Sequence, residues 1–301
     1  MISIIICSKD RKMLDSISKN VEETIGAPYE IIPIDNSLGK FGICKAYNDG
    51  GLKAKYEFLC FMHEDIFFET NDWGSKVINH LQDKSVGLIG VLGGDGKPKV
   101  PVSWVAGDFC DMEAHMIVHY PDENKTPGVL VPQFSLLTAS PDDTSPIKQV
   151  ACIDGVWMCT RKDVFEKFKF DDKTLEGFHA YDIDYSLQVL TEFKVCVVFD
   201  VLLHHYSMGN FDKKFMNHKI KLNYKWRKKL PLSLKNLSED DYLKQHWLAM
   251  DVFINKLIQL DYKLLFILKQ HLVFSSNRFF RIKPFLIILR SIILKKGLRL
   301  K

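Results

Sequence analysis

The stretch of residues 56–68, YEFLCFMHEDIFF, limits the possible folds of this chain more than any other part of the sequence. Its apolar run, Phe58–Met62, predicts a strand that is covered on both faces. His63, Glu64 and Asp65 follow that strand directly. Ligands of open α/β sheets bind beyond the carboxyl ends of the strands, and adjacent carboxylates repel each other unless a cation or hydrogen-bond donors lie between them. The stretch therefore indicates either a divalent-metal site that holds a phosphate or a turn with solvated acids.

Charge is distributed unevenly along the 301 residues, although the net charge is only +4. Residues 1–212 contain 20 Lys and Arg against 32 Asp and Glu, whereas residues 213–301 contain 21 against 5. A chain of this length can bury a large core and suits one large domain with an appendage. We therefore predict two domains, 1–212 and 213–301, with cation-assisted chemistry in the first and an anionic surface as the partner of the second.

The seven cysteines contain no CxxC pair. Cys7, Cys60 and Cys196 lie in apolar, strand-like runs, which predicts buried thiols and a reducing, cytoplasmic compartment. The N-terminal apolar run is too short for a signal peptide. Because the basic residues are concentrated in the tail without a recognisable base-reading motif, we expect no nucleic-acid partner.

Apolar, β-branched runs alternate with helical patterns in the first third of the chain, and these runs cover residues 2–7, 29–34, 58–62 and 86–92. This alternation predicts a parallel or mostly parallel sheet. Right-handed crossovers would place Ser8, Asp35 and Asp65 along one edge of it.

Residues 93–150 lose this rhythm, and their recurring Gly, Pro and Asp predict long loops with short strands. His115 and His119 are spaced as a metal-binding pair would be on a helix. Because no third ligand is evident nearby, a structural role is the favoured interpretation.

Long helical patterns rich in Lys, Leu and Ile begin at about residue 212. The apolar run 285–294 contains Arg290 and is shorter than the roughly 20 residues that a membrane span needs. Its basic flanks favour a helix that lies on an anionic membrane surface, the inner face if the protein is cytoplasmic. The alternative is a helix that packs on the first domain.

The order of motifs over residues 1–210 resembles that of the GT-A glycosyltransferases, particularly the family 2-like enzymes of bacterial surface-polysaccharide synthesis. The resemblance rests on a polar turn after the first strand, an acid after the second in IDNS, an Ala46-Tyr-Asn48-Asp-Gly50 helix and the His63-Glu64-Asp65 tip. It implies an α/β, Rossmann-like, mostly parallel or mixed sheet flanked by helices, with a C-terminal helical extension. It also implies nucleotide contacts by the following residues: Ser8, Asp35, Asn36, Asn48 and Glu64.

The resemblance further implies a metal site for Mn²⁺ or Mg²⁺. The family's Asp-x-Asp motif falls on residues 63–65, so only its second acid, Asp65, is retained, and His63 is either a ligand or a residue that shapes the turn. A His after the last core strand often completes the site in this family. The family's His-x-Ser-x-Gly pattern favours His205 over His204.

The family's catalytic Glu-Asp-x-Asp pattern falls on residues 181–184. Asp182 matches the base that would take the proton of the acceptor hydroxyl, and direct attack would invert the anomeric centre. Its alternative role is that of an acid at a helix N-terminus. Tyr181, Asp184 and Trp157 are expected on the acceptor side, although both aromatic residues are equally compatible with the core.

These observations predict a metal-dependent, inverting glycosyltransferase. Its donor would be a UDP- or GDP-linked sugar, and its acceptor a glycan or lipid-linked glycan of surface-polysaccharide synthesis. The missing first acid and Tyr181 leave a non-catalytic glycan- or nucleotide-binding homologue as an alternative, and a sugar nucleotidyltransferase is another.

Overall fold

The computed structural model describes residues 1–103, 111–121, 130–138, 146–206 and 211–297. The chain forms two compact units, which are described separately. Unit 1 comprises Met1–Asp95 and Met112–Asn210, and unit 2 comprises Gly96–Asp111 and Phe211–Lys301. The sequence pattern placed a boundary at residue 212 but did not connect Gly96–Asp111 with the C-terminal region.

The described part of unit 1 contains strands and five helices. The strands are β1 (Ile2–Ser8), β2 (Tyr29–Asp35), β3 (Phe58–Met62), β4 (Ile66–Phe68), β5 (Val86–Gly90), β6 (Leu92–Gly94), β8 (Met112–Pro121), β9 (Leu130–Leu137), β10 (Ile147–Val150), β11 (Cys152–Ile153), β12 (Trp157–Arg161), β13 (Lys194–Val198) and β14 (Leu203–His205). The helices are α1 (Arg11–Thr24), α2 (Ile43–Lys53), α3 (Trp73–Gln82), α4 (Lys162–Lys167) and α5 (Tyr181–Val189). β7 belongs to unit 2.

The main sheet has the strand order β10-β13-β5-β12-β3-β1-β2. β1 runs parallel to both β2 and β3, and β5 runs parallel to β13. β12 is antiparallel to its two neighbours, β3 and β5. The α/β fold with a mixed sheet flanked by helices is thus confirmed, and its polar strand ends share one edge as predicted, because Ser8 lies in register with Asp35.

A second sheet, in the order β11-β6-β8-β14-β4, extends the unit, and β9 pairs with β8. β8 has 10 residues and β9 has 8. The prediction that the strands of this region are short was therefore wrong for β8 and β9. His115 and His119 lie on a strand rather than a helix, and His119 Nε2 is 2.7 Å from His204 Nδ1. This contact fits the structural role favoured for the pair.

The core of unit 1 is formed by the apolar faces that the sequence pattern indicates. On α1, Leu14, Ile17 and Val21 recur at helical spacing and are buried against the sheet. The helix begins after Asp10, whose side chain accepts from the N–H groups of Lys12 and Met13, a favourable N-cap.

The described part of unit 2 contains four helices: α6 (Lys213–Trp226), α7 (Glu239–Gln259), α8 (Leu264–Ser275) and α9 (Ile282–Ile292), the last extended by a π-helical turn, Ile293–Gly297. A short pair of strands, β7 (Gly96–Lys97) and β15 (Leu232–Ser233), completes its described part. The predicted C-terminal helical region is confirmed. Within the described residues, no helix has both the length and the apolar character that crossing a bilayer requires.

Candidate functional site

Strand pairing in unit 1 brings three potential metal ligands together. His63 follows β3, and its backbone N–H donates to the carbonyl of Val156 at 3.0 Å. Asp65 precedes β4, which pairs with β14 so that His205 lies opposite Ile66. At this end of the β4–β14 pair, the backbone N–H of Tyr206 donates to the carbonyl of Asp65 at 2.9 Å. Residues 140 positions apart in sequence thereby become neighbours.

His63, Asp65 and His205 offer ligand atoms that all lie within 4.8 Å of one another. Asp65 Oδ1 is 3.7 Å from His63 Nδ1 and 3.6 Å from His205 Nε2. Asp65 Oδ1 and His205 Nε2 are buried without a hydrogen-bond partner in the described part of the chain. Buried polar atoms without partners are costly, and a carboxylate with two imidazoles suits a divalent transition metal. The residues present therefore fit the implied metal.

The tautomer of His63 follows from its contact with Tyr181. His63 Nε2 lies 2.9 Å from the Tyr181 hydroxyl, which donates to the carbonyl of Gly155 at 3.1 Å. Because the hydroxyl has only one proton to donate and the carbonyl can only accept, the Tyr181 oxygen accepts a proton from Nε2–H. The lone pair of His63 is then on Nδ1, towards Asp65. Metal-binding histidines are commonly oriented by such a hydrogen bond on their second nitrogen.

Gly155 is required for this arrangement. A Cβ atom at this position would lie 2.1 Å from the Tyr181 hydroxyl oxygen. Any side chain would thus displace the hydroxyl that orients His63.

Electrostatics favour the ligand forms of this cluster at neutral pH. Burial lowers the pKa of His63, so its imidazole is neutral. Burial acts to raise the pKa of Asp65, but the neighbouring imidazoles of His205 and His63 outweigh it and hold the pKa below its ordinary value. Asp65 is therefore ionised beside two imidazoles.

Glu64 makes different contacts from its two neighbours in sequence. Its carboxylate accepts from the Ser8 hydroxyl at 2.6 Å and from the N–H groups of Lys9 and Asp10 at 3.1 and 3.3 Å. This carboxylate, predicted to contact a nucleotide, is buried and holds the turn between β1 and α1. The middle residue of the motif therefore positions a loop of the cleft.

A cleft of about 490 Å³ opens beside these residues. Its lining includes the metal-ligand candidates His63 and Asp65, the turn after β1 and the loop after β2, and contains Cys7, Ser8, Lys9, Met13, Asn36, Ser37, Gly39, Ile43, His63, Glu64, Asp65, Phe178 and His179. Cys7 is only half-buried, unlike Cys60 and Cys196, so the prediction of three buried thiols holds for two.

The other residues predicted to contact a nucleotide differ in their surroundings. Asp35 is exposed and accepts from the N–H of Ser37 at 2.9 Å. Asn36 lines the cleft and donates to the carbonyl of Phe41 at 2.8 Å. The Asn48 side chain is engaged by the backbone of Phe170, which it meets through both its amide nitrogen and its oxygen. Asn48 thus holds the loop before α5 through hydrogen bonds to its backbone.

Comparison with known proteins identifies the family. The model of a family described as "Glycosyltransferase like family" matches residues 3–228. The chain belongs to this glycosyltransferase family. A crystal structure of GalNAc-T7 with UDP, GalNAc and Mn²⁺ shares the GT-A fold with a TM-score of 0.55 at 12% identity, covering 97% of this chain. The chain spans 57% of the length of that structure's chain. A search of curated proteins gives no match.

In this member of the family, Asp182 lies in the first turn of α5 and is half-buried. Its Oδ2 accepts from the N–H of Gly155 at 3.2 Å. The same glycine accepts from Tyr181 through its carbonyl. Asp182 and His63 are therefore linked by hydrogen bonds through the backbone of Gly155 and the hydroxyl of Tyr181, so the predicted base lies close to the metal-ligand cluster.

The residues predicted on the acceptor side are largely buried. Trp157 is 0% exposed, and Tyr181 is engaged with Gly155 and His63. Asp184 is 1% exposed and accepts from Gln188 at 2.9 Å. Of the two roles considered for these aromatic residues, burial supports the core one. A buried ring has no free face for a sugar.

Sequence reasoning missed Phe178, which lines the cleft and is 48% exposed. No periodicity marks it, and its only signal is its place in the irregular stretch immediately before the 181–184 motif. The choice of His205 over His204 agrees with the cluster geometry, since His204 instead contacts Glu69 and His119. Residues 207–210, with the Ser and Gly of the aligned pattern, lie outside the described residues.

Proposed function

We propose that this glycosyltransferase transfers a sugar from a nucleoside-diphosphate donor to a hydroxyl of a glycan or lipid-linked glycan, with inversion and with a divalent cation. The observation that carries the proposal is the cluster of His63, Asp65 and His205, with two buried ligand atoms that lack partners, at the wall of the cleft. The fold shared with a structure that contains UDP, GalNAc and Mn²⁺ supports a UDP-linked donor and Mn²⁺.

His63, Asp65 and His205 would hold the cation. When bound, it supplies positive charge that offsets the charge developing on the diphosphate leaving group. Ser8 and Asn36 line the cleft where the nucleotide would lie. With Glu64 and the Asn36 side chain fixing the two loops, the walls of the cleft are preorganised, which reduces the entropic cost of binding.

Asp182 is the proposed general base. As the acceptor oxygen forms its bond to the anomeric carbon and the bond to the diphosphate breaks, the carboxylate takes the acceptor's proton. Attack from the side opposite the leaving group inverts the anomeric centre. The hydrogen bond from Gly155 N–H orients one oxygen of this carboxylate.

The proposal includes a cytoplasmic setting at the inner face of a membrane and a role in surface-polysaccharide synthesis. Its support is the family resemblance, the free, buried thiols of Cys60 and Cys196 and the basic C-terminal region.

Calorimetric titration of UDP and GDP, with and without MnCl₂, tests the proposal. We expect Mn²⁺-dependent binding by the wild type and its loss in Asp65→Asn. Asp15→Asn, which changes an exposed acid on α1, is the matched control and should bind like the wild type. Equal Mn²⁺-dependent affinity of Asp65→Asn and the wild type would contradict the assignment.

Product analysis separates the alternatives. A transferase releases free nucleoside diphosphate in the presence of donor and acceptor, whereas a nucleotidyltransferase exchanges pyrophosphate. A binding protein that is not an enzyme yields neither product, while still showing metal-dependent nucleotide affinity.

A further inference from the structure

The last 40 residues contain positive charges only. Asp261 is the final acid of the sequence, and residues 262–301 contain ten Lys and Arg without any Asp or Glu. Most protein surfaces intersperse both signs. A one-signed surface of this extent favours an anionic partner.

Helix α9 and its π-helical extension are apolar on two faces. Ile288 and Ile292 face the core of unit 2 and are buried. Five further aliphatic residues point outwards and are between 48% and 60% exposed: Ile282, Leu286, Ile287, Ile293 and Leu294. Soluble helices usually present polar residues on the face away from the core. The outward aliphatic residues of α9 therefore require a separate explanation.

The neighbouring helix α8 repeats the pattern. Leu265 is 80% exposed and Leu272 is 58% exposed, and Lys269 lies between them at helical spacing. The two helices are packed together, with the rings of His271 and Phe285 stacked at 4.4 Å. Outward aliphatic residues thus occur on adjacent helices, each accompanied by cations.

The cations among these residues are available for a partner. No carboxylate of the described residues lies within 4.0 Å of the charged groups of five of them: Lys263, Lys269, Arg281, Lys283 and Arg290. By contrast, Lys296 pairs with Asp261, and Arg278 is 3.9 Å from Glu239.

We propose that the outward faces of α8, α9 and the π-helical turn, here called the basic tail surface, bind a bilayer that contains anionic lipid. Its aliphatic residues would enter the interfacial region, and its cations would meet lipid phosphates, as in interfacial amphipathic helices. The inference deepens the proposed function by placing the enzyme in the plane of a lipid-linked acceptor, but lipid binding itself does not depend on transferase activity.

The combination of groups favours a bilayer over a soluble polyanion. Exposed cations alone would suit a nucleic acid or an acidic protein, but the phosphates of a nucleic acid offer no apolar surface to a row of exposed Ile and Leu residues. A bilayer interface accepts both types of side chain together. Both should therefore contribute to binding.

Co-sedimentation of the full chain with vesicles tests the proposal. We expect binding to vesicles of phosphatidylcholine mixed with phosphatidylglycerol, weak binding to phosphatidylcholine alone, and release as salt shortens the screening length from about 10 Å at 0.1 M to about 3 Å at 1 M. Each basic residue near an anionic surface contributes about fivefold, so Arg281→Gln/Lys283→Gln/Arg290→Gln should bind on the order of 100-fold more weakly.

Two further variants locate the effect. Lys12→Gln/Lys53→Gln/Lys173→Gln removes the same charge from exposed positions of unit 1 and should bind vesicles like the wild type. Leu286→Ser/Ile287→Ser keeps every charge and should also weaken binding, because less apolar surface is buried.

Nucleotide affinity measured on the same preparations is expected to remain unchanged, so that a failure of lipid binding is distinguished from a failure of the proposed function. The inference is overturned if the wild type does not sediment with anionic vesicles at low salt. It is also overturned if the unit 1 charge variant loses as much binding as the tail variant, or if the apolar variant loses none.

Discussion

Replacement of Tyr181 by Phe tests whether the metal-ligand cluster depends on a residue that cannot itself reach the metal. The change removes one oxygen atom from a buried ring and leaves its packing intact. It also removes the acceptor of the His63 Nε2–H bond at 2.9 Å and the donor to the Gly155 carbonyl at 3.1 Å. His63 then loses the contact that keeps its Nδ1 lone pair directed at Asp65.

The magnitude follows from these two hydrogen bonds. Loss of a residue that orients a metal ligand typically lowers metal affinity about 10- to 100-fold. Leaving buried polar groups without partners costs about 1–3 kcal/mol of unfolding free energy. We therefore expect Tyr181→Phe to remain folded and to bind Mn²⁺ with UDP about 10- to 100-fold more weakly than the wild type.

The assay is titration of Mn²⁺ at saturating UDP, followed by the loss of the free Mn²⁺ signal in electron paramagnetic resonance. Tyr185→Phe is the matched control, because Tyr185 lies one turn further along α5 and its buried hydroxyl has no hydrogen-bond partner in the described part of the chain. It should leave Mn²⁺ affinity unchanged. Equal Mn²⁺ affinities for Tyr181→Phe and the wild type would refute the role assigned to the tautomer.

Three more predictions concern other parts of the molecule. Asp182→Asn should lower kcat by a factor of about 10² to 10⁴ while preserving donor affinity, as checked by steady-state kinetics alongside calorimetry; near wild-type turnover would remove Asp182 as the base. Phe178→Ala should raise the KM for the acceptor several-fold, and Phe178→Tyr should restore it, if this exposed ring stacks on a sugar; an unchanged KM would exclude that contact. Burial, with a smaller effect of Lys99, lowers the pKa of His246 from 6.5 to about 4, so the unfolded state takes up the proton first as the pH falls and folded-state stability is lost between pH 6.5 and 4. Between pH 7 and 5 the wild type should therefore lose about 2 kcal/mol relative to His246→Phe in urea unfolding, and parallel pH profiles would contradict this.

The direction of the strands was predictable from the sequence where each strand is followed by a helix. The β-branched runs of β1, β2 and β3 are buried or partly buried and parallel, as their alternation with helices predicts. The antiparallel direction of β12 was not predictable, because a fully buried apolar strand such as Trp157–Arg161 has the same pattern in both directions. The length of β8 and β9 was not predicted, because turn-forming residues interrupt the surrounding sequence.

The metal-ligand candidates were predictable where an acid or a histidine stands at the end of an apolar strand. Asp65 and His205 stand together as the sequence suggested, but membership of His63 depends on which nitrogen Tyr181 engages, a property of side-chain geometry. The sequence also does not show whether the Asn48 amide binds a ligand or a loop. In the structure it bonds to the backbone of Phe170. Short polar motifs specify the types of groups available, while the direction of each group is set by distant contacts.

The contacts of Glu64 have a consequence for altering the nucleotide preference that we propose for this protein. His63 and Asp65 belong to the cluster, while Glu64 between them holds the β1–α1 turn through the Ser8 hydroxyl and the backbone N–H groups of the next two residues. A library that varies Ser8 alone would remove the hydroxyl donor of a buried carboxylate, and one that varies Glu64 alone would release the cleft loop. Ser8 and Glu64 should therefore be randomised as a pair, and compensating exchanges between them would be the productive route to new nucleotide preferences.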